Sequence, residues 1–223
     1  ADGTAVYYGY WPDSGLRATR TLESGEHHLF TYQGNNLASN QSTYLTHFPY
    51  QTGGIGDNPS HYVTAFPYQD NNLQDNSSEF LTAHVYSVGP GAVGNVPERH
   101  DVNHATASTA SQYYLYDLLG NVQATLDAGG AIKNTFVQDA YGNHLLTLDA
   151  LGANVTASVR PDIALTGKDY DELTGLYYFN ARWYDPVTGR FVSRAGYPRD
   201  AEHPYEFCNS NPLIYLDPFG LQS

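Results

Sequence analysis

The sequence contains no methionine and only one cysteine among its 223 residues. One cysteine excludes an internal disulfide, so Cys208 is either a buried, inert thiol or a thiol that pairs with another chain. Burial is the favoured alternative, because free cysteines are among the most buried residue types. Position 1 is alanine, which predicts a processed or truncated end from which a signal peptide was removed earlier.

Basic residues are scarce: Lys and Arg number 10 against 23 Asp and Glu, which gives a net charge of −13. Nucleic acids and anionic membrane surfaces require many cations to neutralise phosphates, so both are excluded as partners. No apolar run approaches the roughly 18 residues that span a bilayer, which excludes membrane insertion. The histidines, such as His27, His28, His100 and His104, lack zinc-site spacing, and segment 70–76 lacks the calcium-loop pattern. No metal and no cofactor are therefore expected.

Tyrosine, glycine and proline are abundant, at 20, 21 and 12 residues. These residues are typical of strands and turns, whereas long helix-forming runs are missing and only 15% of residues are charged. We therefore expect an all-β protein of consecutive antiparallel β-hairpins that is secreted, either extracellular or on the cell surface.

Residues 117–131 and 139–153 repeat each other in register. Each unit has an Asp-x-x-Gly-Asn turn, a short strand, a second turn and a return strand, so each is predicted to be a β-hairpin. The turn residues are Asp117, Gly120 and Asn121 in the first unit and Asp139, Gly142 and Asn143 in the second.

A second duplication places Phe-Pro-Tyr at 48–50 and again at 66–68. Proline removes a donor from the strand ladder, so both elements should lie at strand ends, bulges or a sheet edge. Duplicated hairpin ends with ordinary cross-strand aromatic packing are the favoured interpretation. A pair of aromatic fingers for a partner or a sugar is the alternative.

Two Tyr-Asp-x-x-Thr-Gly turns, at 170–175 and 184–189, flank the aromatic run 176–183. Asp at the head of a turn and Gly at its left-handed position predict hairpins, and these pairs are Asp171 with Gly175 and Asp185 with Gly189.

With Asn-Pro at 211–212 and Asp-Pro-Phe-Gly-Leu at 217–221, this stretch closely resembles the C-terminal core of Rhs/YD-repeat proteins. The resemblance is strong over 113–221 and weak before it. We therefore divide the chain into a divergent hairpin region, 1–110, and a region of YD repeats and Rhs-associated core, 111–223, within one continuous β unit.

The resemblance implies an autoproteolytic site. Rhs cores of this type cut themselves after the Leu of Asp-Pro-x-Gly-Leu, with two Asp carboxylates as general acid and base. The scissile bond here would follow Leu221 and Asp217 would be one carboxylate, but the position of the other is Ala195. Because alanine cannot carry a proton, we expect no cleavage unless Asp200 or Glu202 substitutes.

Without cleavage, Asp217 has a structural interpretation. It would head an Asp-Pro-x-Gly turn that ends a predicted last strand, Leu213–Leu216. Glu206 departs from the family as well, because many relatives have Arg at that position.

Full-length relatives wind many hairpins into a hollow shell that encloses a toxic cargo or is displayed on a surface. This chain is long enough for only a few hairpins and resembles the end of such a shell. A short run of hairpins leaves two open sheet edges, which are templates for pairing with another chain. Only Lys133 and Lys168 are available as the lysines that usually blunt such edges.

The leading hypothesis is therefore a non-enzymatic, extracellular structural protein that assembles with copies of itself as a fibre or surface layer, or with the rest of a larger shell. One alternative is the C-terminal core of a toxin-delivery shell with autoproteolysis after Leu221. The other is a carbohydrate- or receptor-binding module, which would use the aromatic residues of segment 7–11 or the Phe-Pro-Tyr elements.

Overall fold

The computed structural model describes residues 5–23, 26–33, 36–44, 68–69, 72–73, 82–87, 96–103, 108–156, 159–195 and 203–221. Within these ranges the regular structure is β, apart from short 3₁₀ turns at Leu165–Gly167 and Cys208–Ser210. The all-β prediction is therefore confirmed. Several residues considered in the sequence analysis lie outside the described residues: Phe-Pro-Tyr at 48–50, Phe-Pro at 66–67, positions 70, 71 and 74–76, Asp200 and Glu202.

The described residues form sixteen strands. They are β1 (Val6–Tyr10), β2 (Arg17–Leu22), β3 (Glu26–Gln33), β4 (Asn36–Tyr44), β5 (Tyr68–Gln69), β6 (Asn72–Leu73), β7 (Thr82–Ser87), β8 (Glu98–Asn103), β9 (Ser108–Tyr116), β10 (Val122–Leu126), β11 (Ile132–Gln138), β12 (His144–Asp149), β13 (Asp169–Asp171), β14 (Leu176–Tyr178), β15 (Trp183–Asp185) and β16 (Arg190–Phe191).

Ten of these strands form one large antiparallel sheet in the order β1-β2-β3-β4-β7-β8-β9-β10-β11-β12. The short strands β5 and β6 form a separate hairpin between β4 and β7 in the chain. Strand β9 crosses position 110 and pairs with β8 on one side and β10 on the other, so the large sheet runs through that position without a break. The last four strands form a second sheet in chain order.

Aspartate side chains shape the turns that follow β9, β10, β11 and β12. In each turn the Asp Oδ1 accepts hydrogen bonds from the backbone amides two and four residues later, at 2.8–3.0 Å. The amide of the glycine three residues later donates to the Asp carbonyl at 3.0–3.1 Å. These aspartates are Asp117, Asp127, Asp139 and Asp149. Because all of these bonds are local, the turn and the two flanking strands follow directly from the repeated sequence.

The Tyr-Asp-x-x-Thr-Gly elements form the expected hairpins of the second sheet. Gly175 N–H donates to the Asp171 carbonyl at 2.8 Å between β13 and β14, and Gly189 N–H donates to the Asp185 carbonyl at 2.9 Å between β15 and β16. Tyr177 and Tyr184 lie opposite each other on β14 and β15, and both are buried.

Two apolar clusters hold the fold together. The first belongs mainly to the large sheet and consists of Phe30, Leu37, Val96, Tyr114, Val122, Phe136 and Ile163. The second belongs to the second sheet and its loops and consists of Ala164, Leu165, Tyr177, Phe179, Tyr184, Phe191, Phe207 and Cys208. Segment 163–165 contributes to both clusters, so it joins the two sheets. The buried Cys208 agrees with the expectation of an inert thiol.

Both ends of the large sheet contact the second sheet. At the β1–β2 end, Tyr178 accepts a hydrogen bond from the Arg17 amide at 2.7 Å, and Tyr8 donates to the Asp171 carboxylate at 2.5 Å. At the β10–β12 end, the Tyr177 hydroxyl donates to the Gly142 carbonyl at 2.9 Å. The large sheet therefore curls, as twisted antiparallel sheets do, until its first and last hairpins meet the same C-terminal unit.

The predicted strand Leu213–Leu216 is wrong. Residues 212–214 form a turn in which the amides of Ile214 and Tyr215 both donate to the Asn211 carbonyl at 3.1 Å. The side chains from Leu213 to Leu216 are 45–69% exposed, so this run of apolar residues has no neighbouring strand or core among the described residues. Hydrophobicity alone misled the prediction, because a strand also needs a ladder partner.

Candidate functional site

The Asp-Pro-Phe-Gly-Leu sequence at 217–221 forms a tight turn that is packed against the second sheet. Asp217 is only 3% exposed, and its Oδ1 accepts a hydrogen bond from the Leu221 amide at 3.0 Å. The Gly220 amide approaches the Asp217 carbonyl at 3.4 Å. The carboxylate therefore closes its own turn, as Asp side chains do elsewhere in this chain.

Three consecutive carbonyls of this turn are held by donors from outside it. Lys168 Nζ donates to the Pro218 carbonyl at 2.5 Å, the Ala181 amide to the Phe219 carbonyl at 3.1 Å, and Arg182 Nε to the Gly220 carbonyl at 2.5 Å. We call the donors Lys168, Ala181 and Arg182 the carbonyl cradle. The cradle satisfies main-chain acceptors that would otherwise be poorly solvated in this buried position.

The loop between β14 and β15 positions two of the cradle donors. Asn180 adopts φ +61°, and the chain reverses so that the Phe179 amide donates to the Arg182 carbonyl at 2.9 Å. Phe179 is fully buried against Tyr184, Phe191 and Phe207, with ring centroids 5.4–5.6 Å away. This aromatic packing fixes the loop, and with it the direction of the Ala181 amide and the Arg182 side chain.

Arg182 is a buried cation with a partner for each part of its guanidinium. Its Nη2 is 3.2 Å from the Asp217 Oδ2, its Nη1 donates to the Pro204 carbonyl at 3.2 Å, and its plane lies 3.5 Å over the Phe191 ring. Both members of the ion pair are no more than 3% exposed at the side chain. Such a pair depends on both partners, since removing one leaves the other charged and desolvated.

Burial also shifts the pKa of two neighbouring groups. It lowers the pKa of Lys168 to about 8, and the nearby Asp217 carboxylate opposes this shift. Burial and the same carboxylate raise the pKa of the Cys208 thiol to about 12. The thiol is therefore neutral and unreactive at physiological pH.

The structure brings the predicted cleavage residues into one neighbourhood. The Ala195 amide donates at 2.8 Å to the Pro204 carbonyl, the same oxygen that Arg182 Nη1 contacts, so Ala195 is linked to Asp217 through Pro204 and Arg182. Ala195 is buried and presents a methyl group. Leu221 is 37% exposed, and Gln222, on the other side of the predicted scissile bond, lies outside the described residues. Asp217 thus lacks a second carboxylate at the Ala195 position and is paired with Arg182 instead.

Glu206 has a local role. Its Oε1 accepts a hydrogen bond from the Ser210 hydroxyl at 2.5 Å, and its backbone bridges to Arg190. A cleft of about 490 Å³ lies beside it, between the turns at 139–143 and 186–190 and the segment 203–206.

The repeat-turn residues cap turns and dock the second sheet. Asn121 Oδ1 accepts the Thr166 amide at 2.9 Å, and Asn143 Nδ2 donates to the Pro186 carbonyl at 2.7 Å. Asp171 is fully buried, where Tyr8 and Arg20 both bind its carboxylate. These contacts are structural, and none places a nucleophile beside a base.

Sequence reasoning missed the buried cations Lys168, Arg182 and Arg17. Arg17 is fully buried, pairs with Asp169 and lies 3.7 Å over the Phe30 ring. Lys and Arg are almost never fully buried, so the sequence gives no reason to expect that these three side chains are buried. The one available signal was that Lys and Arg are scarce in this chain, whereas Lys168 and Arg182 each lie two residues before a Tyr-Asp-x-x-Thr-Gly turn.

Within the described ranges, no three His, Cys, Asp or Glu residues converge as a metal site. Nor does any helix in that part of the chain have the length and apolarity to cross a membrane.

Comparison with known proteins finds much longer proteins, described as tRNA nucleases, that share part of this sequence. The chain is 32% identical over 121 residues to the tRNA3(Ser)-specific nuclease WapA of Bacillus spizizenii. That match covers 52% of this chain and 5% of the nuclease. It is also 32% identical over 114 residues to the tRNA nuclease WapA of Bacillus subtilis, and this match covers 48% of the chain and 5% of that nuclease. The chain therefore spans about one twentieth of the length of these relatives. No protein-family model matches it.

Solved structures share the fold over nearly the whole chain. The crystal structure of TcdB2-TccC3-TEV has a TM-score of 0.65 at 20% identity, and the match covers 99% of this chain and 9% of that chain. A structure of the Photorhabdus luminescens Tc holotoxin pore has a TM-score of 0.64 at 21% identity, with the same coverage. At this identity the likeness concerns the fold. Together with the sequence motifs, these findings support a general relationship between this chain and the C-terminal region of Rhs proteins.

Proposed function

We propose that this chain is the C-terminal end of an Rhs-type shell of a toxin-related, secreted protein, and that it closes the end of that shell without cutting itself. The observation that carries the proposal is the docking of both the first and the last hairpins of the curled large sheet on one C-terminal unit. The second sheet thereby bridges the two ends of the large sheet, through Tyr178 and Asp171 at one end and Tyr177 at the other. The relatives found by comparison are tRNA nucleases, and a structure that shares the fold is a Tc holotoxin pore, which favours this role over the self-assembling fibre.

The site at 217–221 bears directly on whether the chain cleaves itself. An aspartyl mechanism needs two carboxyl groups with different pKa values, one to take and one to give a proton. Here Asp217 is bound by Arg182 and by the Leu221 amide, and Ala195 supplies no second carboxyl. The role we assign is therefore structural: the turn at 217–221 packs against the second sheet, and the peptide bond after Leu221 stays intact.

The test is the intact mass of the purified chain and of two variants. The parent chain should retain Gln222-Ser223, because it lacks the second carboxyl. The variant A195D should restore cleavage after Leu221, since it returns a carboxyl to a position that shares Pro204 with the Arg182–Asp217 pair.

The control is A195D combined with D217N, which should again stay intact. Loss of Gln222-Ser223 from the parent would contradict the non-cleaving role. An intact A195D chain that still folds would contradict the assignment of this site to an Rhs-type core. Self-assembly through sheet edges stays a prediction from the sequence.

A further inference from the structure

The turn at 217–221 is connected to the rest of the chain by an exposed link. Leu213, Ile214, Tyr215 and Leu216 are 64%, 69%, 50% and 45% exposed. The turn itself is held by the carbonyl cradle and by the Arg182–Asp217 pair. The contacts that fix the turn therefore come from Lys168, Ala181 and Arg182, which are far from it in sequence, whereas the link is exposed.

We propose that the carbonyl cradle is a peptide-binding site whose ligand is an Asp-Pro-x-Gly-Leu turn. The site keeps hold of this turn, and of any polypeptide that follows it, after the main chain has been cut in the link. The proposal concerns non-covalent retention and is independent of whether the chain cleaves after Leu221.

Recognition in this site is mainly of the backbone. The carbonyls of Pro218, Phe219 and Gly220 are each bound by one cradle donor. Phe219 and Leu221 are 36% and 37% exposed, so neither side chain is fully buried in the site. Main-chain hydrogen bonds of this kind give affinity that tolerates side-chain variation, as in other extended-peptide sites.

Gly220 makes the site selective. It has φ +67°, and a Cβ added there would lie 2.6 Å from the Phe179 carbonyl oxygen and 2.8 Å from the Phe179 Cβ. Phe179 is fixed by its aromatic neighbours and cannot move away cheaply. Only glycine fits between this loop and the turn.

Asp217 supplies the second element of selectivity, through charge. The ligand turn carries one negative charge, and the site presents the two buried cations Arg182 and Lys168. The Asp217 carboxylate accepts from Arg182 Nη2 and from the Leu221 amide of its own turn. It therefore binds the site and holds the ligand in its bound shape, which reduces the entropy lost on binding. The same turn from a second copy of the chain would satisfy these contacts equally.

The experiment cuts the link in the full chain. Leu213–Leu216 is replaced by the recognition sequence of a specific protease, and a fluorescent dye is attached at the C-terminus. After cutting, the labelled tail should co-elute with the body of the protein in size exclusion. Adding excess acetyl-Asp-Pro-Phe-Gly-Leu peptide should then release it, and the anisotropy of the dye gives the dissociation rate.

A matched pair of glycine variants separates two effects on the dissociation rate: a clash with the loop that carries the cradle, and the backbone strain of alanine in a turn with positive φ. In G220A the new Cβ meets the Phe179 backbone, and overpacking of this size should speed dissociation of the tail at least about tenfold. Gly130 has φ +81° in a similar Asp-x-x-Gly turn, but no atom lies within 4 Å of its Cβ position, so G130A should match the parent rate. R182K keeps the charge and loses the fork geometry, so it should also release the tail faster.

A labelled tail that elutes as free peptide directly after cutting overturns the proposal, as does a G220A rate equal to that of G130A. If G220A fails to fold, the R182K rate decides in the same way. Because the readout is retention of a cut tail, a negative result here leaves the mass test of the proposed function unaffected.

Discussion

Lys168 is expected to make the stability of this fold rise with pH in the alkaline range. Its Nζ is buried beside the Pro218 carbonyl, and burial lowers its pKa to about 8 from the usual 10.5. Between these two values the unfolded chain binds more protons than the folded chain, so the free energy of unfolding increases with pH. The full difference corresponds to roughly 3 kcal/mol, of which about 2 kcal/mol should be realised by about pH 9.5.

The perturbation that isolates this effect is Lys168→Met, which keeps the length and apolar volume of the side chain and removes the amine. The comparison is needed because other groups act in the opposite direction. Burial raises the pKa of Cys208 to about 12, so the thiol contributes stability that is lost as the pH rises above about 9. Cys208, Asp217 and Arg182, which surround this site, are present in both proteins, so their contributions largely cancel in the difference.

The assay is urea unfolding, followed by tyrosine and tryptophan fluorescence, at several values from about pH 7 to about pH 9.5. The free energy of unfolding of the parent minus that of K168M should rise by about 2 kcal/mol across this range. A difference that stays flat would mean that Lys168 remains fully protonated in the folded state. A difference that falls would mean that its pKa is raised, and either result would refute the reasoning from burial.

Two further predictions concern other buried groups. Replacing Arg17 by Met should destabilise the chain by about 3 kcal/mol in urea unfolding, because the Asp169 carboxylate, only 13% exposed at the side chain, would lose its ion-pair partner. The exposed Lys133→Met is the control and should change stability by less than about 0.5 kcal/mol. The Cys208 thiol should not react with a disulfide reagent at about pH 8 until the chain is unfolded, because burial raises its pKa to about 12. Immediate, complete reaction of the folded protein would show that the thiol is accessible and ionised.

The hairpins could be predicted because their determinants are local. Asp117 and Asp139 bind amides two and four residues away, so the repeated sequence carries the whole turn with it. The same logic placed the hairpins at Asp171 and Asp185. The failure at Leu213–Leu216 has the converse reason: a strand needs a ladder partner, and the sequence does not say whether one is present.

The candidate site was predicted only in part. Family resemblance located Asp217, Leu221 and Ala195, but it gave no indication that Lys168 and Arg182 would bind the carbonyls of the final turn. A side chain that is normally solvated is buried only where the fold supplies enough acceptors and aromatic surface to replace water. That balance is a property of the assembled site.

By itself, the sequence determined the β class, the turns and the order of the hairpins, because each depends on residues within a few positions of one another. Only the tertiary structure decided that the large sheet curls until Arg17 reaches Asp169 and Tyr178, more than 150 residues away. It also decided that the final turn lies in a cradle of buried cations. Such contacts depend on the summed twist of ten strands and on the packing of two apolar clusters, and no short stretch of sequence encodes either.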